Sequence, residues 1–281
     1  MLSRRALLAA LPVSALLAGA PALTGAVRAA PSWAPAATAA IHPGVMTDTN
    51  GGQCTSNFVF TDPAGAVYIG QAAHCSGTGA ATETDGCTTD SLPLGTQVQV
   101  AGASRPGRLV YNSWIAMQAA GEKNRNACAH NDFALVLLDP ADARKVNPTV
   151  PSFGGPTRLG TGTVAGSQVF SYGNSSLRLG IPLLSPKTGV SLGDEAGGWT
   201  RSVYTLTPGI PGDSGSAFLN ERGEAVGVLS TLAILPLPGS NGVSDLAKAV
   251  AYARSHGGPQ VTLATGTEPF RGTAGLLDLR L

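Results

Sequence analysis

Three short segments hold residue types that together could break an acyl bond. Ser214 lies in Pro211-Gly212-Asp213-Ser214-Gly215-Ser216. A serine hydroxyl is a weak nucleophile until a base takes its proton and donors stabilise the oxyanion that forms. Glycine at 212 lets the backbone turn sharply and expose its N–H, so the N–H groups of Gly212 and Ser214 could face one developing charge. A Gly/Ser turn joining two strands is the plain alternative for this string alone. His74, in Gln71-Ala72-Ala73-His74-Cys75, follows a strand-like run and is one of four histidines, with His42, His130 and His256. A histidine near a strand end is usually structural; beside a cysteine and upstream of a Gly-Asp-Ser-Gly turn, it becomes the candidate base. The third group needed is an acid that orients the imidazole and stabilises its protonated form. Asp132, in Asn131-Asp132-Phe133-Ala134-Leu135, stands at the mouth of an apolar run, where a carboxylate can be held rigidly. Asp139 and Asp142 at the far end of that run, and Asp85 and Asp90 in a polar loop, read as solvated or capping residues.

The elements that must position these groups read as short strands and turns. Phe58-Val59-Phe60, the turn Asp62-Pro63-Ala64-Gly65 and Val67-Tyr68-Ile69 predict a hairpin ending just before His74. Residues 97–100 and 109–111 predict further strands, and 133–138 a buried one bounded by Asp139-Pro140. A Pro/Gly-rich stretch over 148–162 reads as a connection between two halves. Beyond it, 169–172 predicts a strand, and 216–219 and 225–229 a hairpin around Asn220-Glu221-Arg222-Gly223. The clearest helix comes late. Ser244 is positioned to cap it, Leu246, Ala249, Val250 and Ala253 share a face, and Gly257-Gly258-Pro259 ends it. Residues 261–264 predict a further strand.

Taken together, Ala72-Ala73-His74-Cys75, Asn131-Asp132-Phe133-Ala134-Leu135 and Gly212-Asp213-Ser214-Gly215 resemble the chymotrypsin-like (trypsin-fold) serine proteases of the bacterial secreted type. The order His, Asp, Ser is that family's and not that of α/β-hydrolases or subtilisins. The resemblance spans about residues 50–256. It implies an all-β chain of two six-stranded antiparallel barrels with a C-terminal helix, the first over 50–150 and the second with its helix over 151–256. The triad would be His74, Asp132 and Ser214, the oxyanion hole the N–H groups of Gly212 and Ser214, and the reaction peptide hydrolysis through an acyl-enzyme. Residues 30–49 would be an N-terminal extension and 257–281 a tail.

The resemblance also marks departures. Pro208 stands where trypsin-like members carry the acid of the specificity pocket, so no strong preference for Lys or Arg is expected. Ser230-Thr231-Leu232 replaces Ser-Trp-Gly; Ser230 matches, whereas Leu232 would narrow the entrance. Pro208, Ser230 and Leu232 are thus the expected substrate-binding positions. In animal members a new N-terminal Ile pairs with the acid before the nucleophile, here Asp213. Ile41 lacks the flanking pattern, so an internal arginine, Arg178 or Arg201, is the expected partner, and removal of the export signal should suffice for activity.

Composition bounds the rest. The chain has 281 residues, formal net charge +1 and 12% charged residues, which gives no electrostatic reason to expect a nucleic-acid partner. Hydrophobic residues make up 43%, enough for a sizeable core. Ser3-Arg4-Arg5, an apolar stretch broken by Pro12, and Val27-Arg28-Ala29 predict a signal peptide over 1–29 and a secreted protein. The paired arginines before Leu7-Leu8 loosely fit a twin-arginine export signal; ordinary secretion is the alternative. No later apolar run is long enough to span a membrane, so no stable membrane association is expected. Four cysteines, Cys54, Cys75, Cys87 and Cys128, suggest two disulfides in an exported chain, with three possible pairings. The family resemblance implies Cys54–Cys75, which leaves Cys87 with Cys128. The paired cysteine spacing of a zinc site is lacking, so no metal is expected, and no dinucleotide loop points to a cofactor. The expected partner is a protein or peptide substrate, and the expected state a monomer. Two other readings stand beside the protease: a binding protein that keeps the scaffold without turnover, and a secreted esterase, whose Gly-x-Ser-x-Gly elbow is incomplete at Ser216.

Overall fold

The computed structural model describes residues 31–80, 83–232 and 238–274, so the expected export signal over 1–29 lies outside the described residues. The first half is built from β1 (Met46–Thr49), β2 (Gly52–Thr55), β3 (Val59–Thr61), β4 (Val67–Gln71), β5 (Gln97–Val100) and β6 (Gly107–Asn112). Two helices, α1 (Ser113–Ala120) and α2 (Arg125–His130), then lead into β7 (Ala134–Leu137). The second half comprises β8 (Gln168–Tyr172), β9 (Pro186–Glu195), β10 (Thr200–Thr205), β11 (Ala217–Asn220), β12 (Ala225–Leu232) and β13 (Asn241–Asp245). Helix α3 (Leu246–Ser255) and β14 (Thr262–Leu263) complete the described chain.

The second half closes as a six-stranded antiparallel barrel, in the order β10-β13-β12-β11-β8-β9. The first half is a curled eight-stranded sheet, β14-β3-β4-β7-β6-β5-β1-β2, instead of a closed six-stranded barrel. The two additional strands come from outside the expected barrel limits. β1 belongs to the segment read as an extension, and β14, from the segment read as a tail, pairs Thr262 with Thr61 and Leu263 with Phe60 along the edge of β3. Covering that edge removes a row of unpaired backbone groups. The hairpin read from 58–69 is present, with Val59 opposite Ile69 and the turn closed by Gly65 N–H to Asp62 O.

Alternation dictates what each strand buries. In β5, Val98 and Val100 point inward while Gln97 and Gln99 face solvent. Strand β7 is apolar throughout because both its faces are covered. A core of Ile69, Val98, Leu109, Val136 and Val146 fills the first half, and one of Val169, Val203, Phe218, Val226 and Val243 the second. A third core crosses between them: Phe58, Phe60 and Phe133 from the first half meet Phe170 and Leu219 from the second, with Leu246, Ala249, Val250 and Ala253 of α3. Phe60 and Phe133 pack edge to face, centroids 5.7 Å apart. That shared core fixes the halves against each other.

Two features differ from the sequence reading of the helices. The cap of α3 is Asp245, whose carboxylate accepts the Lys248 N–H at 2.8 Å, because β13 continues through Ser244. Helices α1 and α2 are capped by Asn112 and Asn124, whose side-chain oxygens accept first-turn N–H groups.

Candidate functional site

His74 lies in a 3₁₀ turn, Ala73–Ser76, directly after β4. Ala72 and Ala73 are fully buried, and their small side chains let the turn pack against α1. Asn112 anchors it by donating from Nδ2 to Ala73 O at 3.0 Å and to Ser76 Oγ at 3.1 Å. Disulfides Cys54–Cys75 and Cys87–Cys128 are both formed. The first ties His74's neighbour to β2, and the second ties the polar loop to α2.

Asp132 follows α2 and precedes β7. Ser113 fixes the chain on both sides of it: Ser113 Oγ donates to Asn131 O at 2.6 Å and accepts Phe133 N–H at 3.1 Å. The buried carboxylate then meets His74 twice. Oδ2 lies 2.7 Å from His74 Nδ1, and Oδ1 accepts the His74 backbone N–H at 2.9 Å. Ser230 Oγ donates to Oδ2 at 2.6 Å. Burial opposes ionisation of both groups, but each one's charge and hydrogen bond outweigh it for the other. The His74 imidazole is held above its usual value and the Asp132 carboxyl below its own, with Ser230 adding to the latter. With Nδ1 facing a carboxylate, Nε2 is left to act on a substrate as a base.

Ser214 and His74 line one cleft of about 570 Å3, with Gly212, Ser230 and Leu232. The hydrogen bonds among the described residues include none from Ser214 Oγ to His74; such bonds are often loose before substrate binds. Gly212 adopts φ +93° and Gly215 φ +89°, conformations that favour glycine. A Cβ on Gly212 would lie 2.4 Å from Gln53 Oε1, and one on Gly215 2.4 Å from Thr55 O. The N–H groups of Gly212 and Ser214 meet no acceptor among the described residues, whereas that of Asp213 bonds Ile210 O and that of Gly215 bonds Leu229 O. Donors left without a partner in this way are what an oxyanion requires.

The first half reaches across to this loop. Gln53 Nε2 and Thr55 Oγ1 donate to Gly212 O at 3.0 and 2.8 Å, and Thr55 N–H to Ser214 O at 2.8 Å. Beneath it, Asp213 is fully buried and paired with Arg178 at 2.5 Å and Lys187 at 3.0 Å. Burial raises the Asp213 carboxyl, but these two cations outweigh it and hold it below the usual carboxylate range. Of the two expected arginines, Arg178 is the partner. Arg201 instead pairs with Asp194 and Asp245. The Ile41 N–H bonds Lys145 O, in a bridge to Val146 that is part of the first half.

The substrate-binding expectations divide. Ser230 and Leu232 line the cleft, Leu232 being 56% exposed at its margin. Pro208 does not: it is exposed outside the lining, and its carbonyl turns toward Arg178 Nη2 at 3.0 Å. Its place in the wall is taken by Gly209, Ile210 and Asn241. Asn241 joins both walls, accepting Gly209 N–H and donating to Thr231 O. Sequence reading missed Gln53, Thr55, Asn112, Ser113, Lys187 and Asn241. Only Asn112, a capping residue type before Ser113-Trp114, had a local signal.

No family model matches the sequence, and no curated protein is a significant match. Solved structures do match. Thermobifida fusca Protease A is 18% identical with TM-score 0.52, covering 80% of this chain and 99% of its own. Nocardiopsis Protease (NAPase) is 18% identical with TM-score 0.51, covering 79% and 98%. A glutamic acid specific serine protease is 18% identical with TM-score 0.50, covering 80% and 100%. At such identity the likeness establishes architecture: one closed barrel and one curled, half-barrel sheet match the trypsin-like two-barrel fold of bacterial chymotrypsin-like serine proteases.

Proposed function

We propose that the protein is a secreted serine endopeptidase. The observation that carries this reading is the convergence, in one cleft, of His74 paired with Asp132, Ser214, and two N–H groups that meet no acceptor among the described residues. Ser214 Oγ attacks a peptide carbonyl while His74 Nε2 takes its proton. The tetrahedral oxyanion accepts the N–H groups of Gly212 and Ser214. His74 then protonates the leaving amine, and water activated by the same imidazole releases the acyl group. Asp132 keeps the imidazole in the useful tautomer and stabilises its protonated form.

Export to an oxidising compartment is supported by the two disulfides. Gly209, Ile210, Leu229, Thr231 and Asn241 line the cleft without charge; Glu83, the one carboxylate among its described lining residues, accepts the Ala80 N–H at 3.2 Å. Uncharged substrate side chains therefore suit the part lined by these five residues, and no strong preference for Lys or Arg is expected. The test is casein cleavage by oxidised chain starting at Ala30, beside Ser214→Ala. Cleavage that disappears in the variant supports the proposal, and preferred cleavage after Arg overturns the specificity. A folded, oxidised protein that cleaves nothing favours a binding protein on this scaffold.

A further inference from the structure

The N–H of Gly212 can serve an oxyanion only if the 211–212 peptide is turned the right way. Gly212 has no Cβ to enforce this, so the peptide needs an external restraint. In a trans peptide C=O and N–H point to opposite sides, so whatever holds the carbonyl of Pro211 aims the N–H of Gly212. The only donor to that carbonyl among the described residues is Ser175 Oγ, at 2.5 Å. Ser175 is 2% exposed and is held from three directions. Its N–H donates to Asp213 Oδ1 at 3.0 Å, its Oγ accepts the Leu177 N–H at 3.1 Å, and Arg178 three residues on pairs with the same Asp213.

The second donor is restrained differently. Ser214 N–H belongs to the 213–214 peptide, whose carbonyl accepts both Ser216 Oγ at 2.5 Å and Ser216 N–H at 3.0 Å. Losing the Ser216 hydroxyl leaves one restraint in place. Losing the Ser175 hydroxyl leaves none on Pro211 O among the described residues.

We propose that Ser175 is a positioning residue for the oxyanion hole: its hydroxyl, by holding the Pro211 carbonyl, keeps the Gly212 N–H turned into the cleft. The inference rests on the endopeptidase reading for its kinetic consequence, but the peptide's orientation does not depend on turnover.

Ser175→Ala, Ser175→Thr and Ser216→Ala are compared with the unaltered chain on a chromogenic peptide amide that it cleaves, with the matching peptide aldehyde as inhibitor. A misplaced oxyanion donor costs about 10–100-fold. Ser175→Ala should lose that factor in kcat and in aldehyde affinity, with KM within about twofold; Ser175→Thr, which keeps the hydroxyl, should recover most of it. Ser216→Ala, equally buried, should stay within about threefold, since one backbone bond remains. Folded Ser175→Ala with unchanged kcat and aldehyde affinity overturns the proposal, as does a loss confined to KM or matched by Ser216→Ala. The amide resonance of Gly212 in 15N-labelled protein reads the same peptide without catalysis. It should move in Ser175→Ala and hold in Ser216→Ala. Should the unaltered chain prove inert while that resonance behaves so, the endopeptidase reading fails and the positioning role stands; a resonance that does not move removes the role.

Discussion

At the scale of residues, the site depends on a competition between burial and pairing. Burial alone would discourage charge on both His74 and Asp132, yet their 2.7 Å contact reverses the outcome for each. The sign for activity follows. The base must be neutral, and the imidazole's pKa lies above its ordinary value, so kcat/KM should rise with pH on an acid limb centred above the usual imidazole range. Asp132→Asn removes the charge that supports the imidazolium while leaving burial in place. Its acid limb should therefore move to lower pH, and kcat should fall about 10⁴-fold as the tautomer is lost. A pH–rate profile of both proteins checks this; an unshifted limb in the variant would mean that Asp132 does not govern the base.

At the scale of elements, the proposed catalytic groups sit on turns whose geometry is imposed by neighbours. The β1–β2 hairpin, joined to His74's turn by Cys54–Cys75, is also the element whose Gln53 and Thr55 hold Gly212 O. Asn112 ends β6, caps α1 and holds the Ala73 carbonyl. Asn112→Ala should therefore cost about 1–3 kcal/mol in stability and reduce kcat more than KM, read by thermal melts beside kinetics. Unchanged kcat would mean that the His74 turn holds its shape without Asn112. These couplings explain what the sequence did and did not disclose. His74, Asp132 and Ser214 stand in segments with their own local pattern, and strands such as 97–100 and 169–172 follow simple alternation. Strands β9 and β10 carry no such pattern, since Gly189 and Gly193 interrupt β9; Gly189 is needed because a Cβ there would lie 2.0 Å from Tyr204 O across the pair. Pro208 misled because equal distance from the nucleophile along the chain does not fix which way a loop faces. Lys187 and Asn241 had no local signal, as their partners are distant in sequence.

At the scale of the whole molecule, the two halves meet along a continuous apolar core with the candidate site at their junction. The loop that carries Ser214 belongs to the second half, yet it is restrained by Thr55 and Gln53 of the first and by a buried ion cluster of its own. Asp213 is already satisfied by Arg178 and Lys187, and the Ile41 amide is engaged with Lys145, so the loop is expected to be ordered without a new chain terminus. Protein beginning at Ala30 should be active with its N-terminus intact by mass spectrometry. Activity that appears only after cleavage before Ile41 would show that the internal cluster is insufficient. Arg178→Met should destabilise the fold by about 3 kcal/mol, the low end for a broken buried pair, because Lys187 remains.

The claim on which the rest depends is that Ser214 is an activated nucleophile. The most direct measurement is the intact mass, with peptide mapping, of folded, oxidised protein after exposure to a fluorophosphonate, beside Ser214→Ala and Asp132→Asn. The account predicts a single adduct on Ser214, none in Ser214→Ala, and much slower labelling in Asp132→Asn. An unlabelled Ser214 in folded protein, or equal labelling of Ser214→Ala, would contradict it.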